Sequence, residues 1–480
     1  MKNQIHTDVA IIGAGSAGLY ALREVRRAGR DFLMIDRGPL GTTCARVGCM
    51  PSKVALHAGA QWATRKAFAG IGVRGVEGLS IDLAATWAKL REQRDFFAGN
   101  GAGKARAAAG DHLIEGSARF IEPTLLEIAS QRGVQRVRAR AVIIATGSRP
   151  VMPGWLEGLR DRAVTTDEFF ELDTLPRSVG ILGLGAIGLE MGLALSRLGV
   201  RVVGADLAPK VGGIVDPLIA ERARQVFAQE IELWLGTQTR LERTASGIAM
   251  RADGREAEVE LLLAALGRRP NLDSLGLEAA GIPLDERGTP RFDPATMQIG
   301  DLPVFIAGDA NADRPLMHEA ADEGAIAGYN AARQTATRFR RKLPLGIAFS
   351  DPDIATVGMR FDALPAEGVV VGTAGGDKNG RARILGATGS LLRVYADAGD
   401  GRLLGASMVA SGGEHLAHLL AWAIQRGETA HDLLALPYYH PVVEEMLQTA
   451  LQDIVTQLPP LNPYPTGLAP VATLQTGAPA

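Results

Sequence analysis

The pattern Gly-x-Gly-x-x-Gly constrains this chain more than any other feature, and it occurs three times. With 58 glycines in 480 residues, about one such match is expected by chance, so the flanking sequence has to decide. The match at Gly13, Gly15 and Gly18 follows the continuous apolar run from Val9 to Ile12, as a parallel strand buried on both faces requires. A helical stretch from Leu19 to Ala28, a second strand from Phe32 to Ile35 and the acid Asp36 come next. This is the order of a dinucleotide-binding βαβ unit, whose glycines permit a tight turn, close approach of a pyrophosphate and helix–strand packing. Ser16 and Ala17 open the helix whose N-terminus would hold phosphate, and Asp36 would accept from ribose hydroxyls. The same order returns at Gly183, Gly185 and Gly188, with a strand from Ser178 to Leu182, Ile187 before a helix to Leu198, and a strand ending at Asp206. The third match, at Gly70, Gly72 and Gly75, follows helical-looking sequence with no strand before it and is read as chance. Two complete units predict two bound dinucleotides.

Close after the first unit lie the only two cysteines, Cys44 and Cys49. Two buried thiols that merely lie close in sequence remain one reading. Zinc is weaker, because no second cysteine pair completes a site. A redox pair is the third reading. On a regular helix, residues five apart sit roughly 8 to 9 Å from each other, and a disulfide spans Cα atoms within about 7 Å. A bridge therefore demands a distorted turn, to which Gly48 and Pro51 are suited. Near a helix start, the dipole would lower the thiol pKa and favour the thiolate. With such a pair between two nucleotide units, FAD is assigned to the first and NAD to the second. Asp206 would repel the 2′-phosphate of NADP, with Lys210 the nearest following cation.

Composition closes off other classes. A net charge of −2 gives no case for nucleic acid, and no apolar run is long enough to span a membrane. The polar start leads straight into a strand without the regions of a signal peptide. Two cysteines in one local pair suit a reducing compartment, so the expected location is cytoplasmic. No metal site is expected.

The segment Gly-Thr-Thr-Cys-Ala-Arg-Val-Gly-Cys-Met-Pro-Ser-Lys, from Gly41 to Lys53, resembles the redox-active segment of the flavoprotein pyridine nucleotide-disulfide oxidoreductases. Its Pro-Ser-Lys ending is most similar to the dihydrolipoamide dehydrogenase branch. Thr42 and Arg46 stand where the family usually has Gly and Asn. The resemblance runs from about Asp8 to Ile454 and implies an α/β chain with two Rossmann-like domains of mostly parallel sheets, three-layered, plus a C-terminal α+β dimerisation domain. The domains expected are 1–150 and 273–345 for FAD, 151–272 for NAD, 346–457 for the interface and 458–480 for a Pro-rich tail. It further implies that Lys53 lies by the flavin and pairs with Glu190. Thr146, Gly147, Gly308, Asp309 and Met317 join the FAD set, and Gly267 borders the nicotinamide. The implied enzyme is a homodimer that shares its active site across the interface and acts on a lipoyl group or lipoyl-bearing protein. Alternatives are a reductase of another small or protein-bound disulfide, using NADH or NADPH, and a non-catalytic subunit of an assembly.

Thiol exchange needs a base, and imidazole titrates in the right range. Of eight histidines, only His440 is followed by both a proline and an acid at the spacing His-Pro-x-x-x-Glu, which by resemblance makes His440 the base and Glu445 its partner. Helix capping by His440 stays open as the plainer role. Val442 and the bulky Tyr438 and Tyr439 depart from the family's usual segment. Pro441 is expected in the first turn of a helix, and His318 is expected to pack or cap. Residues 55–110 are expected to be helices interrupted near Gly99 to Gly103. The tail from Leu458, uncharged with six prolines, is expected to be disordered or polyproline-like.

Overall fold

The computed structural model describes residues 4–334, 336–460, 464–468 and 470. The chain forms two compact units, Met1–Arg177 with Leu261–Arg341, and Ser178–Glu260 with Lys342–Ala480.

In the first unit, parallel strands Val304–Ile306, Gly133–Ile144, Gln4–Ile12 and Phe32–Asp36 lie side by side, and the start of Leu113–Glu122 continues the sheet in parallel. Strand Leu125–Ser130 then pairs antiparallel with Leu113–Glu122 and with Gly133–Ile144. Because strand side chains alternate, Val9 and Ile11 face helices Ser16–Arg27 and Met317–Arg333, while Ala10 and Ile12 face Phe120, Leu126 and Ile128 of the meander. The unit is therefore three layers: helices, parallel sheet, antiparallel meander. This explains why Val9 to Ile12 carries no polar residue.

The second unit begins with a parallel sheet ordered Glu232–Leu235, Arg201–Asp206, Ser178–Leu182, and with helix Ala186–Leu198. Its C-terminal part is an antiparallel sheet ordered Leu345–Ala348, Asp353–Gly358, Leu403–Ala410, Leu391–Asp397, Val369–Gly375. Helices Gly413–Arg426, Ala430–Leu434 and Glu445–Gln457 pack on it around Leu392, Met408, Leu420 and Leu451.

Three local expectations are corrected. Helix Leu83–Ala109 runs unbroken through Gly99, Gly101 and Gly103, capped at its start by the Asp82 carboxylate, which accepts from Ala85 N. The helix after His440 begins only at Glu445, so Pro441 sits in the preceding loop and not in a first turn. His318 is exposed on helix Met317–Arg333, whose N-cap is Leu316, and neither packs nor caps. In the tail, Leu468 N donates to Pro465 O in a turn, and Gly467 lies close to the Leu434 carbonyl. The expectation of disorder for 461–463, 469 and 471–480 lies outside the described residues. Among the described residues, no helix is long and apolar enough to cross a membrane, and no cluster of three or more His, Cys, Asp or Glu could hold a metal ion.

Candidate active site

The distortion that a Cys44–Cys49 pair requires is at Gly48. Helix Thr43–Val47 stops there, at φ −130° and ψ −115°, and helix Cys49–Ala63 restarts one residue later. A Cβ on Gly48 would stand 3.2 Å from Thr43 O and 3.4 Å from Cys44 Cα. The break therefore folds the chain back against the turn that carries Cys44. Neither cysteine is in a disulfide; Cys44 is half-buried and Cys49 exposed. Hydrogen bonding to the Cys49 sulfur pushes the Cys44 thiol pKa far up, burial and the Cys49 charge add to this, and Lys53 pulls the other way. Cys49 opens the fifteen-residue helix and so holds the place where a helix dipole favours an anion.

Thr42, in the family's glycine place, takes φ +61° and accepts from Ala45 N at 3.2 Å, capping the Cys44 turn. Gly41 before it is seated on the long helix: its Cβ would lie 2.7 Å from Ala98 O, and a Cβ on Gly101 would lie 3.0 Å from Gly41 O. Gly101, inside that helix, thus belongs to the support of the redox segment.

A cleft of about 350 Å³ in the first unit runs from Gly13, Gly15 and Asp36 past Thr146 to Thr43 and Arg46. Its glycines divide their work. Gly13, at φ +114°, admits Ala145 O where a Cβ would sit 2.2 Å away; a Cβ on Gly18 would lie 1.9 Å from Gly13 O; Gly15 faces open space. These are the turn, the helix packing and the open approach that a pyrophosphate needs. Asp36 accepts from Ala14 N at 2.6 Å and Gly38 N at 2.7 Å, and so holds both rims of the cleft. Ser16 and the buried Ala17 begin the helix there. Thr146 Oγ1 is buried in the cleft wall without a protein partner, as expected of a group awaiting a ligand. The residues fit FAD.

The far wall is braced by a polar set. Asn271 Nδ2 donates to Thr146 O at 3.0 Å, and Asn271 N donates to Gly147 O at 2.9 Å. Ser148 Oγ donates to Asp309 at 2.6 Å and accepts from Arg268 at 2.7 Å. Gly308 precedes Asp309 at φ +70°, and Met317 is exposed at the start of its helix. Gly267 leads into strand Arg268–Pro270, which pairs antiparallel with Ser148–Pro150 inside the first unit. The Arg268 guanidinium is held there by Ser148 Oγ and Ser148 O.

The second unit repeats the glycine arrangement. A Cβ on Gly188 would lie 1.9 Å from Gly183 O, Gly185 is open, and Ile187 is exposed beside it. Asp206 accepts from Leu184 N at 2.6 Å and Ala208 N at 2.8 Å, the same brace that Asp36 makes. Glu190 is buried and accepts from Phe349 N at 3.0 Å, so it is not a plain surface carboxylate.

His440 Nδ1 stands 2.9 Å from Glu445 Oε1, and Glu445 Oε2 accepts from Val442 N at 3.1 Å. The hydrogen bond to His440 holds the Glu445 carboxyl below its usual range. The His440 side chain is 78 % exposed. The cysteines belong to the first unit and His440 with Glu445 to the second.

Residues 7–325 match the pyridine nucleotide-disulphide oxidoreductase family, and residues 345–451 match its dimerisation domain. The chain belongs to this family. Dihydrolipoyl dehydrogenase of Halobacterium salinarum is 30 % identical over 465 residues, covering 93 % of this chain and 96 % of that protein. The Bacillus subtilis dihydrolipoyl dehydrogenase is 27 % identical over 459 residues, with the same coverage. The structure of the HOCl-induced flavoprotein disulfide reductase RclA from Escherichia coli aligns with a TM-score of 0.79 at 22 % identity, over 93 % of this chain and 99 % of that one. The chain is thus an oxidoreductase of the disulfide reductase family, whose members use FAD and NAD(P).

Within that family assignment, sequence reasoning missed the wall residues Ser148 and Arg268 and the buried acid Glu323. Ser148 and Arg268 stand beside motifs that were singled out, but nothing in their spacing signals a contact 120 residues apart.

Proposed function

We propose that the protein is an NAD-dependent dihydrolipoamide dehydrogenase, passing electrons between a lipoyl dithiol, the Cys44–Cys49 pair, FAD and NAD. The observation that carries this is the Gly48 break, which sets Cys44 and Cys49 together at a helix start, with Lys53 one turn on. His440, aligned by Glu445, takes the proton from a substrate thiol. The resulting thiolate attacks Cys44 of the oxidised pair; the S–S bond breaks and Cys49 leaves as thiolate. The second substrate thiol then attacks the mixed disulfide, releases cyclic disulfide and leaves both cysteines reduced. The division of labour between the sulfurs follows the family resemblance. FAD, when bound, supplies the two-electron exchange between the thiol pair and the nicotinamide. Gly13 to Gly18 and Asp36 would hold it, and Gly183 to Gly188 and Asp206 would hold NAD. The dimerisation domain supports a homodimer, and the sharing of the site across its interface follows the family resemblance.

A second reading, a reductase of a different disulfide, is favoured by Arg46 in the cleft wall and by Tyr439, 81 % exposed beside His440. NADH oxidation with free lipoamide separates the two. Rapid turnover, much faster than with NADPH, supports the lipoyl reading. Bleaching of the flavin by NADH without lipoamide turnover supports the other disulfide.

A further inference from the structure

Glu323 is fully buried on helix Met317–Arg333 and has no part in the chemistry above. Its Oε2 accepts from Gly308 N and from Asn311 Nδ2, both at 2.7 Å, and its Oε1 accepts from Arg341 Nη2 at 2.6 Å. Gly308–Asn311 is the single turn that follows strand Val304–Ile306, and it carries Asp309. A Cβ on Gly308 would lie 3.0 Å from the Ala17 Cβ, so the turn is pressed against the start of the fingerprint helix. Arg341 Nη2 also binds Glu319 at 2.6 Å, which Arg314 holds from its other side at 3.1 Å. A buried ion pair is weak evidence for stability, because desolvation opposes the Coulomb gain. Packing alone would be served by an apolar side chain. What the carboxylate adds is direction: one oxygen fixes both ends of the turn.

We propose that Glu323 is a positioning residue for FAD, clamping the Gly308–Asn311 turn from behind so that Asp309 stays in register with the Ala17 end of the fingerprint helix. This rests on FAD binding by the first unit. The clamp works as a carboxylate, since a proton would occupy an oxygen that now accepts. Burial pushes the Glu323 carboxyl up to about 7, against the pull of Arg341, Gly308 N and Asn311; Asp313 adds to the rise. Glu319 and Arg314 are the other charged groups of the cluster. The clamp therefore loosens as pH falls through neutrality.

The test is the rate of FAD release from the holoenzyme between pH 6 and 8.5, followed by the fluorescence gained on release, for the native protein, Glu323→Gln and Asn311→Ala. Native release should quicken severalfold as pH falls. Glu323→Gln should release FAD about tenfold faster at pH 8.5 and lose the pH dependence. Asn311→Ala should quicken release but keep it. Native-like release by Glu323→Gln at pH 8.5, or an unchanged pH slope in it, overturns the proposal. Should Glu323→Gln not fold, native-like release by Asn311→Ala overturns it alone. Native protein that takes up no FAD at all would instead remove the cofactor assignment, a distinct result.

Discussion

Nδ1 of His440 and Oε1 of Glu445 are 2.9 Å apart, and the same carboxylate takes Val442 N on its other oxygen. The loop just before its helix thereby fixes the Glu445 carboxylate, which can only accept from Nδ1, so Nε2 is the acceptor of the neutral ring. His440→Gln should slow thiol exchange by about 10²- to 10⁴-fold, the usual worth of a general base. Glu445→Gln should slow it about tenfold or more, the effect of losing a charged hydrogen bond. Reduction of the flavin by NADH in the absence of disulfide should stay near native in both. Stopped-flow traces of the two half-reactions check this, and equal slowing of both halves would remove His440 from the exchange step.

The glycines of helix Leu83–Ala109 offer an internal control. Gly99 and Gly103 are exposed, and a Cβ on either meets nothing within 4 Å. Gly99→Ala and Gly103→Ala should each stabilise by about 0.5 to 1 kcal/mol, because glycine in a helix interior costs that much. Gly41→Ala meets Ala98 O at 2.7 Å from a backbone at φ +119°, and should destabilise by about 1 to 3 kcal/mol. It should also lower the reactivity of the Cys44–Cys49 pair, whose segment it displaces. Melting midpoints and thiol titration rates measure both effects. A Gly41→Ala protein as stable and reactive as the native one would show that this seat is not needed.

How much of this was readable beforehand depends on range. The two βαβ units were legible because apolar runs, glycines and acid fall within thirty residues of each other. The glycine-rich helix was not, because its local cost is outweighed by a contact with Gly41 some sixty residues earlier. Strand Val369–Gly375 holds a second such contact. Gly372 there reads as a breaker, yet a Cβ on it would lie 1.9 Å from Ala450 O, so its bareness seats helix Glu445–Gln457. In the site, Cys44, Cys49 and the glycine loops were visible as motifs. Glu323 was not, since a lone Glu on a helix carries no sign of the turn it holds.

On the proposed NAD assignment, Asp206 has two roles that a substitution can separate. It braces Leu184 N and Ala208 N, and its charge disfavours a 2′-phosphate. Asp206→Asn retains one acceptor oxygen but removes the charge. The KM for NADH should rise about tenfold while that for NADPH falls or stays level, narrowing the preference. Steady-state kinetics with both nucleotides measure this, and a parallel rise for both would assign Asp206 to bracing alone.

Asp353 gives a stability test that is independent of catalysis. Its carboxylate accepts from Glu414 N at 3.0 Å, at the start of helix Gly413–Arg426. Burial, with Glu414 and Asp351 nearby, pushes its pKa up to about 6, against the pull of the Glu414 amide and His415. The folded value is above the unfolded one, so the folded protein prefers the protonated acid. Ionisation therefore costs stability, little below pH 4 and fully above pH 6, with a ceiling of about 3 kcal/mol. Asp353→Asn keeps an acceptor for Glu414 N and has no charge to bury. Its melting midpoint should match that of the native protein near pH 4, rise above it through pH 6, and hold a constant advantage to pH 8. An advantage of the same size at pH 4 and pH 8 would show that packing, and not the buried charge, sets the difference.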